Sequence, residues 1–146
     1  MITDDKIKDV LLSSKSAGTI KVGFLLVPNF SMIAFSAAIE PLRVANRVAG
    51  EDLFEWVIAS PSDFAVTASN GVRVDTTETI DDLAKCRLVF VCGGIDVQDF
   101  TDQKVLNATR RLDRQGAIVG AICTGTCPSP SRSFERDKMH YPLGEY

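Results

Sequence analysis

One cysteine in the chain has the sequence surroundings of a reactive thiol. Cys123 ends the apolar run 117–122 and is followed by Thr124 and Gly125, so a strand is predicted to stop there in a tight turn. Such a turn resembles a nucleophile elbow, and the N–H groups of a following helix would favour the thiolate. The predicted chemistry is nucleophilic attack by Cys123 or binding of a small ligand beside it. The alternative is a buried core cysteine.

Two further segments would complement this thiol. Gly93-Gly94 follows another apolar run, and its backbone N–H groups are predicted donors to an oxyanion or a carboxylate. Phe30 and Ser31 follow the first apolar run; Phe30 is either core or part of an aromatic site that binds a quaternary ammonium group. The predicted ligand-binding residues are Phe30, Ser31, Gly93, Gly94, Cys123, Thr124 and Gly125.

Nucleophilic catalysis also needs a general base, and none is evident near Cys123. The chain has one histidine, His140, which falls in a polar segment without periodicity. The four cysteines lack paired CxxC spacing, so the sequence predicts neither a zinc site nor a disulfide framework, and we expect no metal or cofactor.

The elements that must position these groups follow from apolar runs and turn signals. Strands are predicted at 20–27, 54–60, 88–92 and 117–122, a hairpin around Asn70-Gly71, and helices at 31–50, from 79 and at 101–115. Pro41 should kink the first helix or make it restart. This order predicts a doubly wound, mostly parallel α/β sheet with helices on both faces. Ligands in such sheets bind at the carboxyl ends of the strands, where 28–31, 93–96 and 123–126 fall.

Composition limits the classes of protein that the chain can be. Its 146 residues suffice for one domain, and 45% apolar with 24% charged residues is typical of globular proteins. The net charge of −3 gives no basic surface for nucleic acid. The sequence shows no apolar run of about 20 residues for a membrane and no secretory signal, so we expect a cytoplasmic location.

An ordered set of segments resembles a known family. FLLVPNFSMIAFSAAIEPLRVANR, FEWVIAS, ASNGVRV, VFVCGG and LDRQGAIVGAICTGT are similar, in this order and spacing, to the GlxA-type branch of AraC-family transcriptional regulators. The resemblance covers about residues 20–126. It implies an N-terminal domain of the DJ-1/PfpI fold, which is like class I glutamine amidotransferases, and DNA binding only through a C-terminal domain that this chain lacks.

The resemblance also implies roles for individual residues. Glu40 and Pro41 match a structural Glu-Pro step, with Glu40 as an acid at the start of the resumed helix or, alternatively, a ligand contact. DJ-1-like enzymes place an acid near the cysteine at a position that falls near Ala34 here, which favours ligand sensing over hydrolysis. The implied partners are a small-molecule effector, either an amino acid or a quaternary amine, and a second copy in a homodimer.

Three segments are predicted along the chain: a polar leader at 1–18, a partial sensing domain at 19–126 and an irregular tail at 127–146. Family members continue past AICTGT with a helix and a T-x-H-W-E segment, and a one-base shift lets the codons of 133–145 read L-L-N-G-T-R-C-T-I-H-W-E-N. We therefore interpret the tail as a frameshift product, the alternative being a genuine divergent tail. Other interpretations of the whole chain are a DJ-1/PfpI-like cysteine hydrolase or amidase and a non-functional fragment.

Overall fold

The computed structural model describes residues 18–62, 64–76, 78–94 and 102–123. The predicted leader, apart from Gly18, and the whole predicted tail with His140 lie outside the described residues, so those boundaries stay predictions. No helix in the described ranges has the length and apolar character to cross a membrane.

Four parallel strands form the central sheet, as the alternation of strands and helices predicted. Their order is β2-β1-β5-β6, and β3 and β4 form a separate antiparallel hairpin around Asn70-Gly71. The strands are β1 (Ile20–Leu26), β2 (Phe54–Ala59), β3 (Ala65–Thr67), β4 (Arg73–Asp75), β5 (Leu88–Cys92) and β6 (Ile118–Ile122). The helices are α1 (Met32–Ala49) and α2 (Gln103–Arg114), with a 3₁₀ helix at Ile80–Lys85.

Side-chain alternation along β1 explains why both faces of the sheet are covered. Phe24 points to one face and packs with Phe35 of α1, their ring centroids 5.5 Å apart. Leu25 points to the other face and clusters with Leu83 of the 3₁₀ helix and Leu112 of α2. A strand buried on both faces needs a nearly continuous apolar run, and IKVGFLL supplies one.

Helix α1 begins and ends where the sequence predicted, but it does not restart at Pro41. The Ser31 hydroxyl accepts a hydrogen bond from the Ala34 N–H at 3.4 Å, and Gly50 ends the helix with φ 70°. The helix is continuous through Pro41. Ala37 and Pro41 are both exposed, so water can bond the carbonyl that the proline nitrogen leaves without a donor.

Glu40 therefore lies inside a helix, and its predicted role as an acid at a helix start is wrong. Its carboxylate accepts hydrogen bonds from the Arg43 guanidinium at 2.6 and 2.8 Å. This bonding lowers the pKa of Glu40 and raises that of Arg43. An exposed pair of this kind contributes little to stability, typically below about 1 kcal/mol.

The 3₁₀ helix begins with a capping arrangement of Thr79 and Asp82. The Asp82 carboxylate accepts hydrogen bonds from the Thr79 N–H at 3.1 Å, the Thr79 hydroxyl at 2.8 Å and the Lys85 ammonium at 2.6 Å. The Lys85 bond, followed by those from Thr79, holds the pKa of Asp82 far below its usual value.

Replacing Asp82 by Asn should destabilise the protein at neutral pH and not in acid. A carboxylate whose pKa is depressed on folding stabilises the fold above its unfolded pKa, near 3.8, and loses that contribution as the pH falls further. The urea midpoint of the variant should thus lie below that of the wild type above about pH 5, and the difference should shrink below about pH 4. In a Lys85→Met background the same comparison should give a smaller difference; a difference independent of pH would contradict the assignment.

Candidate functional site

The loops that follow β1 and β5 lie against each other at the carboxyl edge of the sheet, where β6 also ends, directly before Cys123. The Val27 N–H donates to the Cys92 carbonyl at 3.2 Å, and the Ser31 N–H donates to the Gly93 carbonyl at 2.9 Å. The Gly93 N–H donates to the Ile122 carbonyl at 3.2 Å. We call residues 28–31, 93–94 and 123 the strand-end site. Thr124 and Gly125 lie outside the described residues, so their role stays a prediction.

Gly94 is the point of closest backbone approach in this site. It forms an isolated antiparallel bridge with Phe30. A Cβ atom at residue 94 would lie 2.1 Å from the Asn29 carbonyl oxygen and 2.8 Å from both the Phe30 carbonyl carbon and the Ser31 nitrogen. All three are backbone atoms, so no side-chain rotation could relieve the overlap. Only glycine therefore lets the loop after β1 lie against the end of β5.

The prediction that Gly93 offers its N–H to an oxyanion is wrong. That N–H extends the β5–β6 ladder by donating to Ile122, and the residue is buried. The pairing of β5 with β6 is parallel and in register up to Cys92 and Ile122, so the next donor along β5 naturally continues it. Gly93 thus holds two loops together through its N–H and its carbonyl.

Cys123 is exposed and has φ 65°, in the left-handed region that residues with a Cβ rarely adopt. The interpretation of Cys123 as a buried core cysteine is therefore wrong. The only other non-glycine residue with positive φ among the described residues is Asn29, at 60°, in the loop after β1. Backbone strain of this kind concentrates at functional sites. The conformation agrees with the elbow that the sequence predicted.

The other two described cysteines, Cys86 and Cys92, are buried. Burial raises the pKa of both thiols, that of Cys92 to about 12. Both are therefore protonated and shielded at neutral pH, and since the thiolate is the nucleophile, they are unreactive.

Iodoacetamide should consequently label Cys123 at least about 100-fold faster than Cys86 or Cys92 in the folded protein at pH 7.5. The two buried thiols must wait for local unfolding, whereas Cys123 is already accessible. Peptide mapping by mass spectrometry after timed quenching measures each site separately. Labelling in 8 M urea is the control, where all three rates should converge. Equal rates in the folded protein would contradict the placement of Cys123.

Phe30 is a core residue that anchors the loop after β1. Its ring is fully buried and packs edge-on against Phe35, with centroids 5.9 Å apart. This supports the core alternative for Phe30. Its neighbour Ser31 uses its hydroxyl to cap α1. The exposed residues of the first loop are accordingly Pro28 and Asn29.

The hairpin formed by β3 and β4 supports the loop after β1, and this contact is not predicted by the sequence. The Asn29 N–H donates to the Thr67 carbonyl at 3.0 Å, and the Ser69 N–H donates to the Phe30 carbonyl at 2.9 Å. These residues lie about 40 positions apart, so no local pattern could reveal the pairing. The Asn70-Gly71 pair predicts the hairpin itself, but it does not predict which loop the hairpin contacts.

The described residues lack the acid in α1 and the histidine that a thiol enzyme would commonly use to move a proton. The first turn of α1, where Ala34 takes the place of the expected acid, has no acidic residue. Within the described ranges there is no histidine and no cluster of three or more His, Cys, Asp or Glu side chains that could hold a metal ion. The site can bind a polar group through backbone and thiol.

An open cleft of about 1010 Å³ lies elsewhere, between α2 and the 3₁₀ helix, and shares no residue with the strand-end site. Arg111 spans it with an ion pair to Asp81 at 2.5 Å, and the exposed Phe64 lies at its border. The positive charge of the basic residues of α2 is therefore partly balanced by Asp81.

Comparison with known proteins agrees with this geometry. The DJ-1/PfpI family profile matches residues 20–129. The chain belongs to the DJ-1/PfpI family. It is 38% identical over 114 residues to the HTH-type transcriptional regulator GlxA of Rhizobium meliloti, which covers 77% of this chain and 35% of that protein. It is 40% identical over 103 residues to the HTH-type transcriptional regulator CdhR of Pseudomonas aeruginosa, covering 70% and 30% respectively.

A solved structure places the DJ-1/PfpI fold in the same kind of protein. An AraC family transcriptional regulator from Pseudomonas putida superposes with a TM-score of 0.61 at 25% identity, covering 70% of this chain and 55% of that one. The chain spans about a third of the length of the curated regulators it matches. The resemblance seen in the sequence to regulators with a DJ-1/PfpI domain is thus confirmed.

Proposed function

We propose that this chain is the effector-sensing and dimerisation domain of a GlxA-type AraC-family regulator, with the effector bound at the strand-end site. One observation carries the proposal: the loops after β1 and β5 are hydrogen-bonded to each other and to Ile122, directly before an exposed Cys123 with a left-handed backbone. The similarity to regulators named HTH-type supports it. Binding of DNA would require a separate domain, and the proposed location is the cytoplasm.

The effector would act by differential affinity. A ligand that binds one arrangement of the first loop more tightly shifts the equilibrium toward it, by no more than that difference in binding free energy. The first loop leads directly into α1 through the Ser31 cap, so a shift of the loop moves the start of that helix. We propose an amino acid or a quaternary amine as the effector.

Thermal unfolding in the presence of candidate effectors tests this. Glycine betaine, L-carnitine and the standard amino acids would each be added to the 146-residue chain; a ligand at 100 times its Kd should stabilise by about 2.7 kcal/mol, a shift of several degrees. N-ethylmaleimide on Cys123 should abolish the shift. The same adduct on a Cys123→Ser, Val72→Cys variant should leave it intact. A cooperative melt that no compound moves, or a shift that survives the Cys123 adduct, would overturn the proposal.

The second candidate is a thiol enzyme acting through Cys123, which its left-handed conformation and exposure favour. Catalysis would need a proton acceptor, and the described residues include no histidine to serve as one. Turnover of an activated ester or amide by the wild type, lost in Cys123→Ser, would establish it. Absence of turnover under conditions where an effector binds leaves the sensing function alone.

A further inference from the structure

The turn between β3 and β4 carries the only Asn-Gly pair in the sequence. The Gly71 N–H donates to the Ala68 carbonyl at 2.9 Å, and the Ala68 N–H donates to the Val72 carbonyl at 2.9 Å. Gly71 has φ 85°, so the turn ends on a glycine in the left-handed conformation. We call residues 68–72 the hairpin tip. All of its residues except Ala68 are exposed.

Asn70 and Gly71 hold the two reacting groups of an intramolecular deamidation. The chain has four asparagines, and a residue with a Cβ follows each of the other three. Because Gly71 has no Cβ, its nitrogen can approach the Asn70 Cγ with little steric hindrance. The Val72 N–H donates to the Asn70 Oδ1 at 3.1 Å, which draws electron density from Cγ and makes that carbon easier to attack.

The hydrogen bond from Gly71 to Ala68 must open before the Gly71 nitrogen can react. The strands β3 and β4 pair at only three positions, and a two-stranded hairpin is marginally stable by itself. Val66 and Ala68 anchor the hairpin in the core, and the rest of the tip extends beyond them into solvent. The tip can therefore open locally without unfolding of the sheet, which costs far less than global unfolding.

The reaction balances with water as its only co-reactant. The Gly71 nitrogen forms a bond to the Asn70 Cγ, the Cγ–Nδ2 bond breaks, and Nδ2 leaves as ammonia with the proton from the Gly71 N–H. Water then opens the cyclic imide that results. Cleavage between Cγ and the nitrogen gives aspartate, and cleavage between the Asn70 carbonyl carbon and the nitrogen gives an isoaspartyl residue.

An isoaspartyl residue changes the main chain of the hairpin tip. The chain then runs through the side-chain carbons of residue 70, which adds one main-chain atom to the turn. Loop length sets the register of a hairpin. The bonds that join Ala68 to Gly71 and to Val72 should therefore be lost together.

The hairpin tip is joined to the loop after β1, so the change would reach the strand-end site. The Ser69 N–H donates to the Phe30 carbonyl at 2.9 Å, and the Asn29 N–H donates to the Thr67 carbonyl at 3.0 Å. We propose that Asn70 is a site of self-modification, at which deamidation to an isoaspartyl residue loosens the contact of the hairpin with the loop after β1. The proposal does not depend on effector binding.

Incubation of the 146-residue chain in heavy-oxygen water, followed by digestion in ordinary water and mass spectrometry, measures the reaction. The heavy oxygen marks residues that deamidate before digestion, and fragmentation distinguishes isoaspartyl from aspartyl residues. Asn70 should convert at least about 10-fold faster than Asn29, Asn46 or Asn107, with isoaspartate among its products. Equal rates at the four sites would overturn the proposal.

Gly71→Ala is the matched variant for this rate. A Cβ at residue 71 would have no atom within 4 Å, so the substitution adds only left-handed strain. That strain favours opening of the tip, so slower conversion can arise only from the Cβ that obstructs the attacking nitrogen. Conversion of Asn70 should slow at least about 10-fold. An unchanged or faster rate would contradict attack by the Gly71 nitrogen.

Hydrogen exchange tests the consequence for the strand-end site. After conversion of Asn70, the amides of Asn29 and Ser69 should exchange at least about 10-fold faster than in fresh protein. Fresh Asn70→Asp is the control, because it carries the new carboxylate on a normal main chain and should exchange like the wild type. Unchanged exchange after conversion, or equally fast exchange in fresh Asn70→Asp, would overturn the proposed loosening by the isoaspartyl linkage. Neither measurement uses an effector, so failure of the proposed function would leave both results interpretable.

Discussion

Replacing Gly94 by alanine should lower the free energy of unfolding by about 3 kcal/mol and disrupt the strand-end site. The added methyl carbon would lie 2.1 Å from the Asn29 carbonyl oxygen, and two further backbone atoms lie within 2.8 Å. The loop after β1 would have to move away from the end of β5. It would then lose the bridge of Phe30 to Gly94 and the bond from the Ser31 N–H to the Gly93 carbonyl.

Urea denaturation monitored by tryptophan fluorescence and circular dichroism measures this effect. Gly116→Ala is the matched control, because Gly116 has φ 86° but open space around it. That substitution should cost only the left-handed strain, about 1 kcal/mol. If the two substitutions cost the same, the close approach at Gly94 does not exist in solution.

The sequence could predict the parallel sheet because a strand buried on both faces must be apolar throughout. Apolar runs as short as IKVGFLL and LVFVC are typical of buried strands. The helices between the strands are predicted by the spacing of apolar residues and by the capping residues. That β1, β5 and β6 end at the same edge then follows from topology, since neighbouring parallel strands run in one direction. Family membership strengthened the order of elements but was not needed for it.

The roles of individual site groups were harder to predict because they depend on distant partners. Gly93 was expected to present a free donor, yet that N–H bonds Ile122, about 30 residues away. Pro41 was expected to kink the helix or make it restart, and the helix instead runs through it without a break, because the exposed Ala37 carbonyl can bond water. Because the helix does not restart, Glu40 lies inside it and not at a helix start. Local chemistry identifies which groups are available, whereas packing decides which are already used.

Replacing Phe30 by alanine should cost about 3–5 kcal/mol, a large part of the 5–15 kcal/mol that stabilises a typical domain. The ring is fully buried and meets Phe35 edge-on at 5.9 Å, which in turn meets Phe24 at 5.5 Å, so its removal opens a cavity beneath the first loop. The loop would lose the ring that holds it in the core, and effector binding should fall together with stability.

Phe64→Ala is the control for that substitution, because the Phe64 ring is 78% exposed and its loss should change stability by less than about 0.5 kcal/mol. Phe30→Leu keeps most of the buried volume and should lose less than half as much stability as Phe30→Ala, since the cavity is smaller. If Phe30 instead contacted an effector through its ring, both Phe30 variants would abolish effector binding while the alanine variant kept near-normal stability. Measuring both quantities on the same three variants therefore separates a core anchor from a ligand contact at the residue where the sequence left both open.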